Sequence, residues 1–227
     1  MIIGAGSQFP KNNSHCKLLL HCDGNNDETT FINSSQSSHS ITSTGGACTK
    51  TSSKKFGVSS AYFDGIDDYL SFPWHDDFDF KDSDFVLSWW MNPLTISNAP
   101  SIYCNTVTNQ IQRQINVIPT GELRLYIKNI DSDIESVDSG FIITTNEWHH
   151  YALLGKNGVV KFAKDGQLSA NTLSLIISID LSSSLSTIGY SGNPSNPRYY
   201  NGYIDEFIFI KGECLWTRNF TPPNRAS

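Results

Sequence analysis

The sequence predicts an all-β protein built as a two-sheet antiparallel β-sandwich. Short runs rich in aromatic and β-branched residues recur about every ten to fifteen residues, and Gly, Asn, Asp and Pro separate them. No helical pattern continues for more than about two turns. The length of 227 residues suits one large sandwich better than two small domains.

Each expected strand is an apolar run that ends at a turn signal. Asn157-Gly158 is a favoured two-residue hairpin turn, and Asp64-Gly65 predicts a second hairpin, between residues 61–63 and 69–72. The polar stretch 25–55 predicts long loops around at most one short strand. Single helical turns are expected at 76–80 and 215–220. The expected strands are residues 18–21, 61–63, 69–72, 85–91, 122–127, 148–154, 159–163, 186–190 and 203–210.

The two ends of the chain differ in composition. Residues 1–15 are rich in Gly, Ser and Asn and poor in apolar side chains. We interpret them as a flexible N-terminal arm, and residues 16–227 as the sandwich domain.

Charge and cysteine content exclude several classes of function. The net charge is −6 and no basic stripe is present, which argues against nucleic-acid binding. No apolar run reaches the length of a membrane span, and the first ten residues do not form a secretion signal. The five cysteines are an odd number without metal-ligand spacing, so we expect free thiols formed in a reducing compartment.

Eight sequence blocks follow one another along the chain. They are residues 17–24 (KLLLHCDG), 55–57 (KFG) with 61–65 (AYFDG), 68–70 (DYL), 84–90 (DFVLSWW), 147–152 (EWHHYA), 162–166 (FAKDG), 201–207 (NGYIDEF) and 219–223 (NFTPP). In this order the blocks resemble the laminin-G-like, concanavalin A-type jelly-roll domains of phage and bacterial surface proteins. The resemblance spans roughly residues 17–223 and implies a jelly-roll sandwich.

The fold blocks, the aromatic residues expected in loops and the lack of paired catalytic carboxylates together favour a non-enzymatic module that binds a carbohydrate or cell-surface glycan. The opening KLLLH and closing FTPP blocks are similar to domains on phage structural proteins, which implies a place on the virion surface after assembly in the host cytoplasm. The alternative is a virion decoration protein that docks on other virion proteins through residues 1–15. Homo-oligomers are compatible with both hypotheses.

The resemblance also implies a structural Ca²⁺ bound between the first and last strands. Carboxylates with loop carbonyls suit this hard cation. The first choice of ligands is Asp23, Asn25 and Asp205, with Asp27 as a helper. The alternative is that these acids cap turns by accepting backbone N–H bonds. A second acidic group, weaker as a candidate, is Asp64, Asp67 and Asp68.

Loop aromatics with polar neighbours are the candidate ligand contacts, because sugars stack on aromatic faces and bind amides and charged groups. Each of these side chains has the alternative of packing beneath a loop. The candidates are Trp74, Tyr103, Arg198, Tyr199, Tyr200 and Asn201.

Catalysis has the weakest support. Asp131, Asp133 and Glu135 are spaced at every second position but lack a surrounding strand pattern. His149 and His150 are adjacent, so a strand places them on opposite faces, with one packed and one towards solvent. The prediction is therefore no catalytic residue, and a glycoside hydrolase or lyase is the least favoured alternative.

Overall fold

A computed structural model describes residues 13–79, 83–107, 110–128, 134–175 and 184–224. Most of the predicted arm, residues 1–12, lies outside these ranges. Residues 13–15, assigned above to the arm, belong to the sandwich instead. The Lys211 N–H donates to the His15 carbonyl at 2.9 Å, and the Asn13 amide donates to Glu213 at 3.2 Å.

Sixteen strands are found in the described residues, together with a 3-10 turn at Asp76–Phe78. They are β1 Cys16–Leu20, β2 Thr42–Thr44, β3 Cys48–Lys50, β4 Ser60–Asp64, β5 Tyr69–Pro73, β6 Phe85–Thr95, β7 Ser101–Val107, β8 Gln110–Val117, β9 Glu122–Lys128, β10 Ile134–Ile142, β11 His149–Lys156, β12 Val159–Lys164, β13 Gln167–Leu168, β14 Leu173–Ser174, β15 Leu185–Ile188 and β16 Asn201–Lys211.

The strands form two antiparallel sheets, which confirms the predicted sandwich. The first sheet has the order β13-β12-β11-β6-β16-β4-β3, with β1 also on β16 and β14 also on β12. The second has the order β10-β9-β8-β7-β15-β5-β2. Within the described ranges, no helix is long and apolar enough to cross a membrane.

A continuous apolar core fills the space between the two sheets. Trp89 lies at its centre, with its ring stacked 6.2 Å from Tyr151 and 6.2 Å from Phe207. All three side chains are at most 1% exposed. Burying an aromatic side chain of this size contributes roughly 1.5–3 kcal/mol, so these three rings help to hold the two sheets together.

The outer face of the first sheet is apolar as well, and the C-terminal segment covers it. Trp216 and Phe220 stack with centroids 4.0 Å apart and pack around the buried His150 ring. The Phe220 N–H donates to the Gly166 carbonyl at 2.9 Å. The helical turn expected at 215–220 is therefore wrong, because this stretch extends across the sheet to bury its aromatic rings.

The predicted hairpin between residues 61–63 and 69–72 is also wrong. β4 pairs with β3 and β16 in the first sheet, whereas β5 pairs with β2 and β15 in the second. The Asp64–Asp68 connection therefore crosses from one sheet to the other. The Asp68 carboxylate secures the crossing by accepting the Asp64 N–H at 2.9 Å.

Asp79 lies beside Arg113, whose side chain is buried and only 1% exposed. One guanidinium nitrogen donates to the Asp79 carboxylate at 2.5 Å and another to the Phe78 carbonyl at 3.4 Å. This pairing anchors the 3-10 turn to β8. A buried charge needs such a partner, because desolvation of an unpaired guanidinium is costly.

Candidate functional site

One end of the sandwich gathers three loops that are distant in sequence. The strand register fixes this arrangement, because Asn201 at the start of β16 pairs with both Asp64 of β4 and Thr95 of β6. The loop after β6, the turn after β8 and the segment before β16 consequently meet. Together they enclose a cleft of about 720 Å³, named here the loop cleft. Its lining residues are Ile96, Ser97, Asn98, Ala99, Ile118, Pro119, Gly121, Asn196, Pro197 and Arg198.

The first wall of the loop cleft is the β6–β7 loop. The Ser97 N–H donates to the Thr95 hydroxyl at 3.2 Å, which closes a local turn. Asn98 and Ala99 follow with φ of 62° and 51°. The left-handed region is uncommon for residues other than Gly, and Asn tolerates it better than most. This backbone holds an exposed Asn98 amide at the rim.

The second wall is the tight turn between β8 and β9. The Gly121 N–H donates to the Ile118 carbonyl at 2.8 Å, with Pro119 and Thr120 as the central residues. Pro119 pre-sets the φ that the second turn position requires. Gly121 has a φ of 85° and its carbonyl accepts the Ile143 N–H at 2.8 Å, so the turn is tied to the segment after β10.

The third wall is the 191–200 segment, which is closed on itself. The Ser191 N–H donates to the Arg198 carbonyl, and the Arg198 N–H donates to the Ser191 hydroxyl, both at 3.1 Å. Next to this clamp, Tyr190 and Tyr199 form a β-bridge and stack at 4.7 Å with an interplanar angle of 12°. Tyr69 continues the stack 4.9 Å from Tyr190. The wall is therefore ordered before any ligand arrives.

Among the described residues that line the loop cleft, Arg198 is the only charged one. Its side chain is half-buried, and no group in the described ranges accepts a hydrogen bond from its guanidinium. Five N–H donors in a fixed fork match a carboxylate or a pair of hydroxyls. The cleft thus combines a cationic donor with amide groups and apolar proline and isoleucine surfaces.

The sequence-predicted ligand contacts separate into two groups. Tyr103 and Tyr200 are 1% and 0% exposed, so for both the alternative of internal packing holds. The Tyr200 hydroxyl donates to the Tyr203 carbonyl at 3.1 Å, and burial raises the pKa of Tyr103 to about 12. As core residues they do not reach an external ligand. Trp74, half-buried, packs partly against the same core at the other end of β5.

Arg198, Tyr199 and Asn201 do lie at the loop-cleft end. Tyr199 is half-buried, and burial, with smaller contributions from the neighbouring Tyr69 and from the charge of Asp67, raises the pKa of its phenol. Asn201 donates its amide to the Asp64 carbonyl at 2.7 Å and is therefore a structural link across the sheet. Only Arg198 of the three lines the cleft directly.

Asp23 and Asp205, the first choice as metal ligands, both hold the 55–59 loop through backbone N–H groups. One Asp205 oxygen accepts from Lys55 at 2.9 Å and Phe56 at 3.0 Å. One Asp23 oxygen accepts from Val58 at 2.6 Å. The arrangement matches the turn-capping alternative. Burial raises the pKa of Asp205 to about 7, and its second oxygen is buried without a partner.

Asn25 does not join this pair, since its backbone and side-chain N–H groups both donate to Glu28. In the described part of the chain, three His, Cys or carboxylate ligands come close enough to share a metal at two places, and neither includes Asp23 or Asp205. One is the second acidic group. Its three carboxylates line a shallow cleft of about 370 Å³ and offer the oxygen ligands that Ca²⁺ prefers: Asp64, Asp67 and Asp68.

The residues weighed for catalysis are not arranged for it. His150 is 0% exposed, and burial lowers its pKa to about 3, so it is a neutral core residue held by Ser88 at 2.7 Å. His149 lies partly exposed and faces Asp165 at 2.6 Å. Glu135 lies on β10 in the second sheet, whereas Asp131 and Asp133 fall outside the described residues.

The chain resembles known proteins in both sequence and fold. The sequence profile of the family Laminin_G_3, described as the concanavalin A-like lectin/glucanases superfamily, matches residues 63–213, more than half of the chain. The chain belongs to this family. A search of curated protein sequences gave no match.

Solved structures with the same fold include binding domains of clostridial toxins. The chain is similar to the binding domain of Paraclostridial Mosquitocidal Protein 1, with a TM-score of 0.69 and 13% identity. The match covers 89% of this chain and 50% of that chain. The chain is also similar to the binding domain of Botulinum Neurotoxin DC in complex with SialylT, with a TM-score of 0.65 and 14% identity. This match covers 89% of this chain and 49% of that chain. The chain spans about half the length of these domains.

A third structure matches over nearly its whole length. It is domain 4 of AbnA, an extracellular arabinanase from Geobacillus stearothermophilus, in complex with arabinotriose. The TM-score is 0.63 at 18% identity, with 89% of this chain and 96% of that chain covered. At these identities the three similarities establish the fold.

Proposed function

We propose that this chain is a non-catalytic carbohydrate-binding module and that the loop cleft is its site. The observation that carries the proposal is the lining of the cleft. There the Arg198 guanidinium, which has no hydrogen-bond acceptor among the residues that the structure describes, lies among amide, hydroxyl and proline groups. Sugars need this mixture, because their hydroxyls bind polar groups and their C–H faces pack on apolar ones.

The three walls support affinity as well as chemistry. Each is closed by its own hydrogen bonds, at Ser97, Gly121 and Ser191 respectively. A site that is ordered before binding loses less conformational entropy when the ligand arrives. A cleft of about 720 Å³ is large enough for a short oligosaccharide.

The charge of the lining favours an acidic sugar. The chain as a whole carries a net charge of −6, yet the one charged side chain among the described residues that line the cleft is cationic. Arg binds carboxylates in a bidentate manner, which adds geometric specificity to the charge attraction. We therefore place uronate- or sialate-containing glycans ahead of neutral ones as ligands.

The non-catalytic part of the proposal is supported by the same lining. Glycoside hydrolysis uses two carboxylates across the scissile bond. Neither Asp nor Glu is found among the described residues that form the cleft walls.

Structural relatives supply further support for a glycan ligand. Those relatives are a domain bound to arabinotriose and a toxin binding domain bound to SialylT. For another, botulinum neurotoxin type C, cell entry depends on interaction with two ganglioside molecules. A toxin domain bound to rat synaptotagmin II makes a surface protein the second candidate partner.

The biological setting that we propose is the surface of a phage particle, where the module would recognise host-cell glycans. Support comes from the opening block at 17–21 and the closing block at 219–223, which resemble domains of phage structural proteins. Association with other virion proteins belongs to the same proposal. Detection of the chain in purified particles by mass spectrometry is the result expected, and its absence from them would contradict this setting.

A glycan array that contains neutral and acidic oligosaccharides tests the proposal, with and without Ca²⁺ because of the acidic group at residues 64–68. Hits are then measured by isothermal titration calorimetry with Arg198→Ala and with Arg218→Ala. Arg218 is an exposed arginine on the C-terminal segment, away from the cleft lining. We expect hits among the acidic glycans. Arg198→Ala should lower the affinity for them at least about tenfold, which corresponds to the loss of roughly one charge-assisted hydrogen bond. Arg218→Ala should leave that affinity unchanged.

Two outcomes would contradict the proposal. An array without hits at high protein concentration would argue against glycan binding altogether. Equal affinity in both arginine variants would place the site elsewhere.

A further inference from the structure

Two histidines and one aspartate converge at the end of the sandwich opposite the loop cleft. His75 caps the 3-10 turn that follows β5, Asp77 lies within that turn, and His39 comes from the loop before β2. Neither the candidate glycan site nor the predicted Ca²⁺ ligands involve these residues.

The three potential ligand atoms are already as close as metal ligands are. Asp77 Oδ2 lies 2.8 Å from His39 Nε2 and 3.2 Å from His75 Nδ1, and all three atoms lie within 4.8 Å of one another. Tetrahedral zinc with bonds of about 2.0–2.1 Å holds neighbouring ligand atoms roughly 3.3 Å apart. Small movements would complete this geometry.

His75 Nδ1 faces both the backbone and the side chain of Asp77. It lies 3.1 Å from the Asp77 backbone N and 3.2 Å from Asp77 Oδ2. Imidazole nitrogen and carboxylate oxygen are both ligand atoms of divalent transition metals, so a cation placed between the two could be bound by both.

The surroundings hold the ligands in place and account for the other charges. The His39 ring packs 4.6 Å from the buried Phe78. Lys17 Nζ lies 3.6 Å from Asp77 Oδ1, the oxygen that faces away from the histidines.

We propose that His39, His75 and Asp77 bind one divalent transition-metal ion of the zinc type. Imidazole and carboxylate are ligands that suit zinc, and an exposed His75 leaves the fourth position open to water. The ion would fasten the loop before β2 to the turn after β5. Because only the folded chain presents the three ligands together, binding would stabilise the fold.

Untagged full-length protein is titrated with Zn²⁺ by isothermal titration calorimetry, and thermal unfolding is measured with Zn²⁺ and with EDTA. The visible spectrum with Co²⁺ reports coordination geometry independently. Expected are one saturable site, a Zn²⁺-dependent rise in Tm that EDTA reverses, and Co²⁺ absorption bands of a low-coordinate site.

Variants separate this site from surface histidines. His75→Ala and His39→Gln each remove one ligand and should weaken Zn²⁺ binding at least about tenfold, the lower end of what disturbing a metal site costs. His149→Ala removes a partly exposed histidine of β11 that pairs with Asp165 rather than with Asp77, and it should leave the affinity unchanged. Absence of saturable binding, or affinity that survives His75→Ala, would overturn the proposal. Circular dichroism establishes that each variant is folded.

Discussion

Asp205 gives the stability of this protein a dependence on pH that one substitution removes. The side chain is 0% exposed, with one oxygen bound by two loop N–H groups and the other buried without a partner. Burial therefore raises its pKa from 3.8 to about 7, and the protonated form is the one that the fold favours.

The magnitude follows from linkage. Because the folded-state pKa is above the unfolded value, the stabilising contribution is complete below about pH 4 and is lost as pH rises through about 7. At about 1.4 kcal/mol per unit, the full loss is about 4 kcal/mol. Between about pH 5 and about pH 8 the linkage relation leaves about 2–3 kcal/mol to be measured.

Asp205→Asn tests this account because an amide keeps an acceptor for the loop N–H groups and does not ionise. Urea unfolding of the native protein and the variant is measured across this pH range. The free energy of unfolding of Asp205→Asn, relative to the native protein, should rise by about 2–3 kcal/mol from about pH 5 to about pH 8. Asp67→Asn is the control: it removes an exposed carboxylate and should leave the pH dependence of the free energy of unfolding that Asp205 causes unchanged. A difference between Asp205→Asn and the native protein that stays constant with pH would refute the reasoning.

Two further predictions concern the C-terminal cover and the thiols. Gly166→Ala should destabilise the fold far more than Gly158→Ala. Both glycines have a positive φ, which costs about 1–2 kcal/mol for alanine. Only at Gly166 would the new Cβ also lie 1.8 Å from a backbone atom, the Phe220 carbonyl oxygen. Equal losses of Tm in the two variants would contradict the role of the C-terminal segment as a cover for the first sheet. A thiol reagent should label Cys214 in the folded protein but Cys104 only on unfolding, as read by peptide mass spectrometry. The reason is that burial raises the pKa of the Cys104 thiol more than that of the Cys214 thiol. Equal labelling rates for the two cysteines would contradict this prediction.

Much of the fold was readable from local signals, and the errors have physical causes. Asn157 and Gly158 do form a turn with φ of 49° and 74° between β11 and β12. The Asp64-Gly65 signal marks a chain reversal too, but local chemistry does not say which sheet receives the next strand. β7, β8 and β10 were missed because buried polar residues such as Asn105 and Arg113 interrupt their apolar alternation.

The candidate site was predictable only in part. Arg198 was recognised because its loop is rich in turn-forming and polar residues, whereas Asn98 and Pro119 belong to separate loops with no shared local signal. The pairing register between β6 and β16 brings these loops together. This register cannot be read from a single sequence. Likewise Tyr103 resembles a loop aromatic in sequence, yet it is a core residue because β7 lies in the middle of its sheet.

The location of the glycan site is tested most directly by a titration of ¹⁵N-labelled protein with the best acidic glycan from the array. Chemical-shift changes should concentrate on Asn98, Gly121 and Asn196, and in Arg198→Ala the same changes should need at least about tenfold more glycan. Changes concentrated instead on the outer face of the second sheet, around Gln114 and Tyr126, would show that the loop cleft is not the site.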